Sequence, residues 1–189
     1  MDKGIAYPDR LSSGAAHHTS TKQNTVYRPA RAGEETAVSN LVARSFNEFI
    51  APDFSEEGIE EFFKYANPRS LARRSGNNHF VLVAEIEGEI SGMIEIREMN
   101  HISMLFVDKA LHGKGIGREL FQLALERIKS EEFLPESVTV HSSRFAVPFY
   151  ERLGFTKTSE EKIVNGFVHV PMALTLPVGR ILRRENLSR

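Results

Sequence analysis

Apolar positions change period several times along the chain. From residue 34 they recur at helical spacing, with Val38, Leu41, Val42 and Phe46 on one face. Glu34 and Glu35 stand at the end where a helix is positive. Upstream, Thr25 to Arg31 reads as a short strand ending in a polar turn. Ala51-Pro52-Asp53 breaks the first helix, and Ser55 is a good N-cap for a second carrying Ile59, Phe62 and Phe63. Asn67-Pro68 is read as its end. Beyond residue 78 the period shortens to that of strands. Residues 79–88 and 89–99 form an antiparallel hairpin turning at Glu87-Gly88, and the nearly continuous apolar run 101–108 predicts a central strand. A Gly-rich turn and a long helix follow, with Leu120, Phe121, Leu123, Ala124 and Ile128 three and four apart. Then come a strand at 137–142, a short helix at 146–154 and a closing hairpin at 155–176 with Asn165-Gly166 as its turn. The order β-α-α-β-β-β-α-β-α-β-β predicts an α+β (α/β) domain, a mixed sheet packed by helices.

The flanks read differently. Residues 1–24 are polar and lack the apolar core of a secretory signal, so a flexible N-terminal tail is expected there. His17 and His18 are adjacent in that tail and make a poor metal site, since such sites need three or four converging ligands. The expected organisation is this tail, a folded domain over 25–177, and a C-terminal tail over 178–189 whose charge is +3.

Composition removes several function classes. The 189 residues hold 24 Lys and Arg against 25 Asp and Glu, a net charge of −1, which argues against a coat for nucleic acid or an anionic membrane. No run of apolar residues is long enough to span a bilayer. With no Cys, thiolate zinc sites, disulfides and a Cys nucleophile are excluded. A cytoplasmic location is expected, with no metal cofactor.

Chemistry concentrates between Ile102 and Arg118. A strand feeds a loop with Gly113, Gly115 and Gly117, and a long helix begins there. Glycines in this setting let the backbone approach a ligand and aim successive N–H groups at one anion, backed by the positive helix end. The same loop is also compatible with a tight connection and nothing more. A P-loop is excluded because Arg118-Glu119 follows Gly117 in place of Lys-Ser/Thr. A dinucleotide fingerprint fails because a hairpin precedes the loop and no acid ends a parallel strand about 20 residues on.

Leu105-Phe106-Val107-Asp108 followed by His112-Gly113-Lys114-Gly115-Ile116-Gly117-Arg118 resembles the acyl-CoA site of the GNAT superfamily of N-acetyltransferases, written (Gln/Arg)-x-x-Gly-x-(Gly/Ala) after the strand. A second match, Ala146 to Phe155, resembles the family's Tyr-x-x-x-Gly-Phe helix. The resemblance spans about Val26 to Leu176. It implies a mostly antiparallel sheet of about seven strands and four helices, splayed between the fourth and fifth strands. It further implies acetyl-CoA as co-substrate and transfer of an acetyl group to a primary amine of a small molecule or peptide by direct attack in a ternary complex. A non-catalytic acyl-CoA sensor on the same fold is the alternative, and a nucleotide-binding protein using the Gly loop is a third reading. Relatives are often dimers, so a homodimer is an expectation; nucleic acid and membrane partners are not.

The roles carried over are specific. The backbone of Leu105, Phe106 and Val107 should hold the pantetheine arm like an added strand, which needs the sheet to open after residue 107. The N–H groups of Gly113, Lys114, Gly115, Ile116, Gly117 and Arg118 should hold the pyrophosphate. The side chains of Lys114 and Arg118 either add charge to outer phosphates or are solvated helix-end residues. Tyr150 matches the tyrosine that protonates the departing thiolate. His101 stands where one branch carries a Glu as general base, and Glu95 on the neighbouring strand is a candidate to relay through water. Ser143 occupies the place of a cofactor-contacting Asn, a departure that puts that contact in question; His112 replaces Gln or Arg, and Lys109 replaces Pro.

Residues 34–62 hold eight carboxylates against Arg44, a local charge of −7. Such a lip either steers a cationic amine or is two solvated helix faces. His169 and Met172 are candidates to line the acceptor pocket or to belong to the sheet.

Overall fold

The computed structural model describes residues 24–177 apart from 75, 77, 132 and 133. The expected tails, His17, His18 and the basic C-terminus fall outside those residues. The described strands are β1 (Thr25–Pro29), β2 (His79–Ile86), β3 (Glu89–Arg97), β4 (His101–Val107), β5 (Ser137–Ser142), β6 (Thr156–Lys157), β7 (Lys162–Val164) and β8 (Phe167–Thr175). The helices are α1 (Glu35–Phe49), α2 (Glu56–Ala66), α3 (Pro68–Arg74), α4 (Ile116–Lys129) and α5 (Val147–Arg152).

The sheet runs β1-β2-β3-β4-β5-β8-β6, with β7 paired to β8 in a separate ladder. All pairings are antiparallel except β4–β5. Two cores cover its faces. α4 lays Leu120, Phe121, Ala124 and Ile128 on one face, with Tyr150 and Val147 of α5. α1 lays Val38, Leu41, Val42 and Phe46 on the other, against Val83, Met93, Met104 and Phe106. The hairpin turns use positive φ at Glu87-Gly88 and Asn165-Gly166, the type that matches strand twist.

Three features depart from the sequence reading. Asn67-Pro68 starts a helix and does not simply end one: Asn67 Oδ1 accepts the Ser70 N–H at 2.9 Å, and Pro68 takes the first helical position. The closing segment forms three strands, so the described chain has eight strands and five helices where about seven and four are expected. The sheet also opens sooner. β4 and β5 pair only at His101–Thr139 and Ile102–Val140, so they part after residue 102 and not after 107. The cause is local. Against β3, Glu95 faces Met104 while Ile96 faces Ile102, which leaves Ser103 as an extra, bulged residue. The bulge turns Met104 and Phe106 to the α1 face while Ile102 stays on the α4 face.

Candidate functional site

The gap between β4 and β5 is the centre of the site. Strand backbone groups point alternately to either side. Asp108 donates its N–H to Ser91 of β3 at 2.8 Å, so the polar groups of Asp108 and Phe106 face β3. Those of Leu105 and Val107 then face the gap. Of the three residues expected to offer their backbone, Leu105 and Val107 do and Phe106 does not. The Val107 carbonyl already accepts from His112 Nε2 at 3.0 Å and Ser45 Oγ at 3.4 Å.

A cleft of about 440 Å³ follows this gap to the glycine loop. Leu105, Phe106, Val107, Gly113, Gly115, Ile116, Gly117, Arg118, Ser143 and Tyr150 all line it. Gly113 (φ 77°) and Gly115 (φ 85°) take the left-handed conformation, which folds the loop back onto the start of α4. The first helical bond is from Glu119 N–H to the Gly115 carbonyl. The N–H groups of Ile116, Gly117 and Arg118 therefore precede the ladder and lie at the positive helix end. Gly117 packs against the Phe149 ring, where a Cβ would meet it at 3.4 Å. Lys114 stands apart from its neighbours: it does not line the cleft, and its N–H is spent on the Leu111 carbonyl at 3.3 Å. The residues of this cleft suit the diphosphate and extended arm of a CoA-type molecule.

Ser143 Oγ accepts the Ala146 N–H at 3.3 Å and so shapes the turn into α5. That helix presents Tyr150 to the cleft floor. The ring is 4% exposed and is wedged edge-on between Phe149 and Phe155, at centroid distances of 5.2 and 5.3 Å. Burial pushes its phenol pKa well above the ordinary value, so the group stays protonated.

Tyr150 also lines a second cavity, of about 590 Å³, that meets the cleft at Leu105, Phe106, Ser143 and Ala146. Its walls come from α1, α2, β4 from His101 to Phe106, β5 and the β7–β8 hairpin. His101 lies here. Its Nδ1 is 2.8 Å from Thr139 Oγ1, and that hydroxyl also reaches the Asn100 carbonyl at 3.5 Å. Thr139 thus donates to Asn100 and accepts Nδ1–H, which leaves the lone pair on Nε2. Burial first, then Arg97 and His141, push the His101 pKa down to about 4. The ring is neutral near pH 7, but it is a poor proton sink.

Glu95 cannot serve as a free relay. It is 1% exposed, and Arg74 holds its carboxylate at 3.0 and 3.3 Å, with the Tyr65 hydroxyl at 3.2 Å. His169 lines the second cavity, whereas Met172 is buried in the sheet core. None of the eight carboxylates of residues 34–62 lines either cavity. Four are paired elsewhere: Glu34 with Arg28, Glu48 with Lys109, Asp53 with Arg144 and Glu61 with Lys64. Sequence reasoning missed Arg97, His141, Tyr65 and Lys162 in this cavity. The readable signal for His141 was a histidine on a strand, alongside His101 and His169 on the neighbouring strands, with His79 on β2 as a fourth.

Comparison with known proteins agrees with this geometry. The family model for the acetyltransferase (GNAT) domain matches residues 50–176. A UPF0039 protein of Schizosaccharomyces pombe is 30% identical over 106 residues, 56% of this chain and 67% of that protein. An uncharacterised N-acetyltransferase of Methanocaldococcus jannaschii is 35% identical over 111 residues, 53% of this chain and 47% of that protein. The fold is shared with the PaiA N-acetyltransferase of Thermoplasma acidophilum, solved in complex with coenzyme A (TM-score 0.68, 18% identity, 80% of this chain and 99% of that one). A GCN5-related N-acetyltransferase of Rhodopseudomonas palustris gives the same TM-score of 0.68 at 21% identity, over 80% of this chain and 95% of that one. With the opened β4–β5 edge, the glycine loop and the helix bearing Tyr150 all in place, this chain belongs to the GNAT acetyltransferase family.

Proposed function

We propose that the protein is an acetyl-CoA-dependent N-acetyltransferase acting on a primary amine. The observation that carries the reading is Tyr150, buried where a cleft ending in an anion-binding loop meets a second, separately walled cavity. The coenzyme A complex of the Thermoplasma acidophilum relative supports the choice of co-substrate. Acetyl-CoA supplies a thioester, whose carbonyl the neutral amine attacks directly; the C–N bond forms and the C–S bond breaks.

The chain's own residues divide the work. Leu105 and Val107 hold the extended arm through main-chain groups, and the N–H groups of Gly113, Gly115, Ile116, Gly117 and Arg118 hold the diphosphate. Tyr150 gives its phenolic proton to the departing thiolate, and the phenolate then takes up the proton that the amine nitrogen loses as the amide forms. Its raised pKa keeps that proton available, and the thiolate shares the same dry environment, which raises its basicity too. His101 lines the acceptor cavity as a neutral ring, away from the Tyr150 end.

Isothermal titration with CoA and acetyl-CoA tests the binding half, with ATP as competitor. Release of free CoA in the presence of amines tests the chemical half. Failure to bind CoA at saturating protein overturns the reading. Binding without transfer to any of a broad amine panel would favour an acyl-CoA sensor.

A further inference from the structure

The acceptor side of the site carries a charge pattern that the sequence does not suggest. Among the described residues no carboxylate lines the second cavity, while Arg97 and Lys162 do, together with His101, His141 and His169. The three imidazoles form a ladder across β4, β5 and β8. His101 and His141 meet edge to face at 5.0 Å, and His141 stacks on His169 at 4.4 Å. This is not a metal site: no group of three or more ligating side chains converges as one among the described residues.

The cations are available. Arg97 Nε is buried without a hydrogen bond, and its recorded ion pair is a 3.9 Å approach to the exposed Glu98. Lys162 makes no ion pair among the described residues. The nearby acids are committed: Glu95 to Arg74, and Asp53 and Glu161 to Arg144. Burial first, and the neighbouring positive groups after it, lower the pKa of both His101 and His141. Much of the remaining wall is aromatic, with Phe54, Phe62, Tyr65, Phe106 and Phe167, alongside aliphatic residues and Ser103, Ser142 and Ser143.

We propose that this cavity selects an amine that also bears a carboxylate, the two separated by an apolar body the size of an aromatic ring. The inference rests on the acetyltransferase reading for which end of the molecule reacts. The amine must reach the junction at Leu105 and Tyr150, while the anion meets Arg97 and Lys162 at the far end. Strand rise of about 3.3 Å per residue puts the start of β4 on the order of 10 Å from Leu105, allowing for the bulge. The Arg97 side chain shortens that span, so an α-amino acid is too compact. Polycationic acceptors meet a like-charged wall with no acid to receive them.

Three isosteric probes decide it: 4-(aminomethyl)benzoate, its neutral amide, and the dication 1,4-bis(aminomethyl)benzene. Binding is measured by calorimetry on the protein with and without CoA, and turnover by CoA release. The benzoate should bind at least about tenfold tighter than the amide and tighter still than the diamine, as one charge-assisted contact requires. Arg97→Met and Lys162→Met should each shrink that preference severalfold. Lys162→Glu, at an exposed position that keeps the fold intact, should shift it toward the diamine. Equal binding of the three probes, preference for the diamine, or no binding of the benzoate at millimolar concentration overturns the inference. A protein that discriminates the probes but binds no CoA keeps this anion site and loses the acetyltransferase reading instead.

Discussion

His112 Nε2 lies 3.0 Å from the carbonyl oxygen of Val107. A carbonyl only accepts, so the ring nitrogen carries the proton, and the bond ties the glycine loop back to the end of β4. A Gln or Arg at this position also presents an N–H, which explains how His substitutes in the family motif. His112→Ala removes about 1 kcal/mol of loop fixation, and the dissociation constant for CoA should rise about fivefold by calorimetry. His112→Gln should restore it. If alanine binds as well as the parent, the glycines alone set the loop.

Tyr150→Phe keeps the ring between Phe149 and Phe155 and deletes only the proton donor. Turnover should fall about 10²- to 10³-fold, within the usual range for a general acid, while CoA affinity stays within about twofold. Parallel loss of kcat and affinity would make Tyr150 a binding residue.

Glu95 is held by Arg74 and Tyr65 beneath the acceptor cavity. Glu95→Gln leaves the poorly exposed Arg74 guanidinium without its counter-charge, and stability should fall by at least about 2 kcal/mol in urea unfolding. The shape of the pH–rate profile should not change. A lost limb in that profile would reinstate Glu95 as a proton relay.

The readable part of this protein lay in local pattern, and the unreadable part in who meets whom. The glycine loop, the hairpin turns and the Tyr150 helix each follow from residues within a few positions of one another. The Asn67-Pro68 pair carries two meanings, a stop for one helix and a cap plus first residue for the next, and spacing alone does not choose. The Ser103 bulge has no sequence mark, yet it opens the sheet five residues before the expected point and turns Met104 and Phe106 to the opposite face. The acidic count over 34–62 fits the second of its two readings, solvated helix faces, since none of these carboxylates lines either cavity. Glu34 pairs with Arg28, six residues before it, while Glu48 and Asp53 pair with Lys109 and Arg144, far away in sequence.

Gly58 of α2 touches the β7–β8 turn, where a Cβ would come 2.5 Å from the Gly166 carbonyl oxygen. Alanine favours a helix over glycine by about 1 kcal/mol, but the obstacle here is backbone, and overpacking costs about 1–3 kcal/mol. Gly58→Ala should therefore lower the melting temperature by a few degrees, on the order of 2–4 °C. Because this contact seats the hairpin that carries Lys162 and His169, acceptor binding should weaken more than CoA binding.

Stability should fall in two separate acid windows. In the fold His101 has a pKa of about 4, against 6.5 for the free side chain, and His141 is lowered as well. Between those values the unfolded chain binds more protons than the native one, so acidification favours unfolding. The contribution is fully present above pH 6.5 and drains away as the pH falls toward 4. Glu34, whose pKa the Arg28 guanidinium holds down to about 2, has the same sign but acts only below its ordinary value of 4.5. Melting temperature followed from pH 7.5 to 3.5 should decline from the first window onward. His101→Gln should flatten the decline between pH 6.5 and 4, His141→Gln should flatten it below 6.5, and neither should remove the part that Glu34 contributes below 4.5. Arg28→Met should do the reverse. A profile that stays flat to pH 4.5 in the parent protein would mean that the imidazoles titrate alike in the folded and unfolded states, and that the histidine ladder is open to solvent.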